Sequence, residues 1–274
     1  MLRFSIGFIR VNAWPLALIV CVVALAHYLL NTPNLFPNIS RLGGNDGVLS
    51  GLGKYFEKHS RFLPLVLATG ALWLRSSAAL WFLAVAVLSN LPTLTFVFEI
   101  WAKGRVAWDA PKILWRTALP LGALVLCVVA VFGTGRKPAL LGPNSILDRR
   151  LKTAAIVASG IALIACLSLV PGVVRDDTPF AKAVQLKLLS QPELPVLFLA
   201  FLAAIYDMKV APWLHGLALL YLLNDIQQNL QYLLYQGRNF INGEVELTYA
   251  AASVVALVCA SFFARRNKRR SETE

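Results

Sequence analysis

The stretch from Phe62 to Trp101 is almost wholly apolar, yet it carries Arg75, Ser76 and Ser77 in its interior. It is twice as long as one membrane crossing needs, since about 20 apolar residues in a helix span the hydrocarbon core. A run of that length has to turn, and an arginine at mid-bilayer costs about 2.5–3.5 kcal/mol but little where its guanidinium reaches the headgroups. The Arg75-Ser76-Ser77 triplet is therefore where the chain is expected to reverse. The leading piece, Phe62 to Leu74, is short. Either it extends downward from the amphipathic "GKYFEKHSRF" segment, or it is a re-entrant half-helix that enters and leaves by one face.

Composition makes the solvent explicit. The chain is 58% hydrophobic and 15% charged, with a mean hydropathy of +0.65, more apolar material than a soluble core of this size can hide. Only helices or closed barrels satisfy their own backbone in lipid, and the apolar segments here are long and non-alternating. The fold expected is all-α, a polytopic helical membrane protein.

A second interrupted run follows the same plan. "LPVLFLAFLAAIYDMKVAPWLHGLALLYLLND", from Leu194, again opens with Leu-Pro, breaks at Asp207 and Lys209, and resumes. Leu63-Pro64 aligns with Leu194-Pro195, Arg75 with Asp207, and Ala79-x-Trp81 with Ala211-x-Trp213, while Asn90 falls near Asn224. Plainer spans run from Trp14 to Leu30, Thr117 to Phe132, Thr153 to Val170 and Leu247 to Phe263. If both breaks are hairpins there are eight transmembrane segments; if Phe62–Leu74 and Leu194–Tyr206 are re-entrant there are six. A 4+4 internal duplication would place its halves at 1–135 and 136–264 within one membrane domain, followed by a basic tail, 265–274. Halves with matching broken helices are a known transporter plan, although helical spans also resemble one another by composition alone.

Charge bears on orientation. The net charge of +12 sits in loops and at span ends, where it reads as topology signal and as attraction to anionic lipid rather than to nucleic acid. With the amino end inside, the eight-span reading puts fourteen lysines and arginines inside and twelve outside. The tail "RRNKRR" weighs more, because five positive charges directly after the last span resist translocation. Both ends are then cytoplasmic, and the sequon Asn38-Ile-Ser40, a candidate glycosylation site at Asn38, lies in the first external loop. Met1–Ala26 also has the form of a cleavable signal peptide, ending Ala24-Leu25-Ala26, which would make the span count odd. A eukaryotic endomembrane such as the endoplasmic reticulum fits the sequon and tail; a bacterial inner membrane is the alternative.

Chemistry leaves little trace. The histidines, His27, His59 and His215, are far apart and form no HxxH or HExxH pair, so no metal site is expected. There is no GxSxG, and the serine of "ASGIA", Ser159, has no histidine near it in sequence. No phosphate loop is present, and Asp176-Asp177 stand alone. Cys21, Cys127, Cys166 and Cys259 each fall in a different span, as small residues packed between helices. No cofactor is expected, and an enzyme ranks third.

The remaining candidates for a polar path or contact surface are Arg75, Asn90, Glu99, Asp207, His215, Asn224, Asp225, Gln228 and Asn229. Glu99 lies within a turn of Trp101, an interfacial anchor type. His215 stands about one turn past Pro212, whose missing donor leaves a carbonyl that an imidazole can bind. On a helix, Asp225, Gln228, Asn229, Tyr232 and Gln236 share one face of an amphipathic segment from Leu222 to Gln236. That face is either a solvated helix end or a contact for a partner helix. Two functions lead: a scaffold that shapes or assembles a complex in an internal membrane, with lipid and other membrane subunits as partners, or a small transporter or channel whose path runs between two halves. In the second, Arg75 and Asp207 should approach each other or line a common cavity.

Overall fold

The computed structural model describes residues 2–31, 61–104, 110–133, 146–168, 191–206, 208–223, 225–227, 229 and 243–271, with isolated residues at 52, 55, 56, 182, 183, 185 and 186. Among them no strand occurs. The helices are α1 (Leu2–Asn31), α2 (Leu63–Trp73), α3 (Ala78–Ala102), α4 (Ala110–Gly133), α5 (Ile146–Ser168), α6 (Glu193–Tyr206), α7 (Ala211–Tyr221) and α8 (Gly243–Ser271). Five of these, α1, α3, α4, α5 and α8, are long and apolar enough to cross a membrane. The polar breaks leave α2, α6 and α7 with 11, 14 and 11 residues, each short of the roughly 20 that a full crossing takes. The described residues are all-helical, and these five helices are consistent with a helical membrane protein.

The chain divides into two compact units, α1–α4 and α5–α8. Within the first, α1 packs on α4 and α2, and α3 on α2 and α4, closing a ring. Within the second, α5 packs on α8 and α6, and α7 on α6 and α8. The order of neighbours is the same in both.

Lipid tails are as apolar as leucine, so helices in a membrane associate through close approach, which small residues permit. In the first unit the buried stripe of α1 is Ala13, Ala17, Cys21, Ala24 and Tyr28, spaced by threes and fours, and α4 answers with Ala123, Cys127 and Ala130. Gly122 of α4 faces α1, and a Cβ there would make an ordinary contact with Val20 at 3.8 Å. In the second unit α5 buries Ala155, Ser159, Ala162 and Cys166, and α8 buries Tyr249, Ser253, Ala256, Ala260 and Phe263. Cys21, Cys127 and Cys166 are thus members of packing stripes, and all four cysteines are free thiols. The opposite faces, with Val125 and Val128 on α4 and Val157 and Ile164 on α5, are exposed large apolar side chains suited to lipid.

The turn after α2 explains the triplet that interrupts the apolar run. Arg75 has φ of 50°, in the left-handed region. The Ser76 N–H donates to the Ala71 carbonyl at 2.8 Å and the Arg75 N–H to the Leu72 carbonyl at 3.0 Å, the paired bonds of a Schellman cap with Arg75 as its left-handed residue. The Ser76 hydroxyl then accepts from the Ala78 N–H at 3.3 Å across Ser77, the N-cap of α3. The triplet ends one helix and begins the next, with Trp73, Leu74 and Arg75 all exposed around the turn.

A non-glycine residue in this conformation carries about 1–2 kcal/mol of strain. Arg75→Gly is expected to stabilise the detergent-solubilised protein by about 1 kcal/mol, and Arg75→Val to destabilise it by at least as much. Thermal unfolding of the two variants beside the parent checks this; a lower midpoint for the glycine variant would contradict the cap.

Candidate functional site

Inside the second unit, α5 and α7 meet at a buried polar pair. Ser159 is back-bonded to its own helix, its hydroxyl donating to the Ala155 carbonyl at 2.6 Å. The same oxygen lies 2.8 Å from His215 Nε2, which donates to it in the Nε2–H tautomer while the serine proton stays on the Ala155 carbonyl bond, and accepts from the serine hydroxyl in the Nδ1–H tautomer. His215 is 0% exposed, and its Nδ1 has no hydrogen-bond partner among the described residues. The imidazole partner is thus a serine side chain 56 residues away, not a backbone carbonyl freed by Pro212.

This pair corrects one inference from sequence. No histidine stands near Ser159 in the chain, which argues against a nucleophile there, yet the fold brings His215 to hydrogen-bond distance. The chemistry still does not follow. A histidine base takes the serine proton through an unprotonated nitrogen, and the 2.6 Å bond from the Ser159 hydroxyl to the Ala155 carbonyl competes with that transfer. The arrangement holds two helices together, one hydroxyl serving both its own turn and the facing helix.

The other candidates separate. In the first unit, Arg75 is exposed at the capped turn, Asn90 is buried in α3 with its amide donating to the Ala86 carbonyl at 2.7 Å, and Glu99 is half-buried near the end of α3. From Asn90 to Glu99 is about 13 Å along a helix at 1.5 Å per residue, so these two do not converge. Glu99 shares its turn with an edge-on pair, Phe98 and Trp101, with ring centroids 5.7 Å apart. In the second unit Asn229 is buried, and its amide donates to Glu246 Oε2 of α8 at 2.6 Å. Asp225 is near enough to act electrostatically on the same carboxylate. Asp207, Asn224, Gln228 and Asn38 lie outside the described residues.

Sequence reasoning also missed Asp148. Although it begins the basic stretch "DRRLK", it is fully buried and accepts from Arg266 Nε at 3.0 Å, joining the start of α5 to the last turns of α8. An acid heading a run of cations in the first turn of a helix was the available signal. In the first unit the counterpart device is Arg116 of α4, whose guanidinium donates to the Asn31 carbonyl at the end of α1 at 2.7 Å and lies 5.2 Å from the Tyr28 ring centroid. No group of three or more histidine, cysteine, aspartate or glutamate side chains is placed to hold a metal among the described residues.

Removing the serine hydroxyl strands the imidazole in an apolar interior. Ser159→Ala is expected to cost about 1–2 kcal/mol, and His215→Leu with Ser159→Ala less than the sum of the single changes. Equilibrium unfolding of the four proteins of this cycle in mixed detergent measures the coupling; strict additivity would mean that the two side chains do not interact. No family model matches the chain, and neither the curated proteins nor the solved structures compared with it give a significant match.

Proposed function

We propose that the protein is a multi-pass membrane scaffold, one that shapes the bilayer or assembles other membrane subunits in an internal membrane and carries no reaction of its own. One observation carries this reading: most of the polar side chains that can be placed within its helices are engaged in fixing the helices, the buried hydroxyls of Ser89, Thr93 and Ser253 being without a partner among the described residues. Arg75 and Ser76 close a turn, Asn90 bonds its own helix, Ser159 and His215 join α5 to α7, and Asp148 and Arg266 join α5 to α8. A solute path would instead need such groups turned toward water. Exposed apolar faces on α4, α5 and α8 remain for lipid and for partner helices.

The shared order of neighbours in α1–α4 and α5–α8, each unit built on a first and last helix joined through small residues, supports a duplicated four-helix module. On this reading α2 with α3, and α6 with α7, are hairpins, and eight crossings require the residues flanking α2, α6 and α7 to lengthen those three limbs to a full span. Trp73 beside the first turn and Tyr206 and Trp213 beside the second are exposed aromatics of the type found at the headgroup level. The sequon and basic tail favour an endomembrane, such as that of the endoplasmic reticulum.

Single cysteines in a background lacking the four native ones test this. With an impermeant thiol reagent applied from each side, Ser76→Cys and Lys209→Cys are expected to label from one face only, while Leu67→Cys and Ala200→Cys stay protected. Labelling of position 67 or 200 through water would mean that solvent reaches mid-membrane, and would replace the scaffold with a transporter or channel.

A further inference from the structure

At one end of the second unit, where α5 begins and α8 finishes, lies a group of cations that the scaffold reading leaves without a role. The buried Asp148 pairs with Arg266, fixing these two helix ends against each other and neutralising one charge. The pair also suits both helix dipoles, with the carboxylate in the first turn of α5 and the guanidinium in the last turns of α8. Arg149, Arg150 and Arg265 remain exposed and Lys152 half-buried, and none of the four is in an ion pair among the described residues.

Length places this cluster. The 29 residues of α8 extend about 43 Å at 1.5 Å per residue, beyond a hydrocarbon core of about 30 Å. Its helix therefore continues through Arg265, Arg266, Lys268, Arg269 and Arg270 after Phe263, its last fully buried apolar residue. Exposed apolar side chains adjoin the cations: Phe262 lies one turn before Arg265 and Arg266, and Ile146 and Leu147 precede Arg149. A mixture of exposed apolar groups and arginines suits the boundary between acyl chains and headgroups, where a solvent-facing docking surface for a soluble acidic partner would not need the apolar half.

We propose that the α5 start and the α8 end together form a binding site for the phosphate-bearing headgroups of anionic lipids in the leaflet that they enter, the cytoplasmic one by the positive-inside bias. Guanidinium groups present forked N–H donors that match phosphate oxygens two at a time, and three arginines and a lysine held at one end by the Asp148–Arg266 pair supply them, the adjoining carboxylate of Asp148 being taken up by Arg266. Each basic residue near an anionic surface strengthens binding by about fivefold. The assignment stands whether the protein scaffolds or transports.

Native mass spectrometry of the full-length protein, released from detergent containing equal phosphatidylserine and phosphatidylcholine, tests it. The parent is expected to retain phosphatidylserine preferentially. The Arg149→Gln, Arg150→Gln, Arg265→Gln triple variant is expected to lose that preference by roughly fivefold per residue while unfolding at the parent temperature, because none of the three is the partner of Asp148. Equal retention of the two lipids by the parent, or undiminished preference in the variant, would overturn the site. Displacement of the lipid by excess inorganic phosphate would make it a free-anion site, and displacement by an RNA oligonucleotide a nucleic-acid site; either result also overturns the lipid assignment.

Discussion

In hydrocarbon no water is present to satisfy a backbone group, and each one left bare costs several kcal/mol. The devices found in both units answer this constraint. A left-handed arginine at position 75 is strained by about 1–2 kcal/mol, less than a single unsatisfied carbonyl would cost, so the Schellman bonds to Ala71 and Leu72 prevail over the strain. Arg116 reaches the last carbonyl of α1 from a helix 85 residues further on. The hydroxyls of Thr69 and Ser159 and the amide of Asn90 each return to a carbonyl of their own helix, four residues back. Such polar side chains are tolerated in these helices because each closes a local hydrogen bond before it makes a distant one.

With the backbone satisfied inside each helix, the force that assembles helices must come from elsewhere. Burying leucine against leucine gains little when the alternative is an acyl chain, so α1 and α4, and α5 and α8, approach largely on alanine, serine and cysteine, whereas α3 buries Phe82, Leu83 and Val85. Gly160 of α5 faces the Phe201 ring of α6, which a Cβ there would meet at 3.5 Å, in ordinary van der Waals contact. The same logic accounts for the cysteines without redox chemistry, since a thiol is small enough for the stripe. Cys21 reaches the Thr69 hydroxyl at 3.3 Å, a contact that joins α1 to α2 near the middle of the first unit.

What is legible in the sequence follows from cost. Arg75 stands in an apolar run where the membrane penalises it, so hydropathy alone locates the break, and it finds the long spans, although α4 and α5 each begin seven residues before the starts read at Thr117 and Thr153. Helix ends are harder: α5 begins at Ile146, seven residues before the apolar stretch from Thr153, because "ILDRRLK" is helical yet charged. An acid at the head of a basic run marks Asp148 as a residue to watch, but the helix start and the partner in α8 that make it turn inward are not in the local sequence. The Ser159–His215 pair is hidden for a different reason. Serine in a small-residue stripe looks like a spacer, and only tertiary structure brings the two residues together. For the amphipathic segment from Leu222, the structure describes Asp225 and Asn229 but not the rest of the supposed face.

The two units differ most where they are most alike. Aligning Ala79-x-Trp81 with Ala211-x-Trp213 sets Leu83 opposite His215, and both side chains are fully buried. A leucine at that point is indifferent to the exact height of its neighbour, but an imidazole N–H in an apolar interior is not. A slip of α5 past α7 by one turn, about 5.4 Å, would carry Ser159 out of reach and leave the donor bare. Hydrogen bonds between membrane helices are worth only about 0.6–2 kcal/mol when made, because the separated helices find partners too. The larger quantity is the penalty for the misaligned state, about 1–3 kcal/mol for a buried donor with nothing to accept from it. The histidine therefore contributes more to the register of the second unit than to its stability, and the first unit, with leucine at the aligned position, fixes its own register through Arg116 and the end of α1.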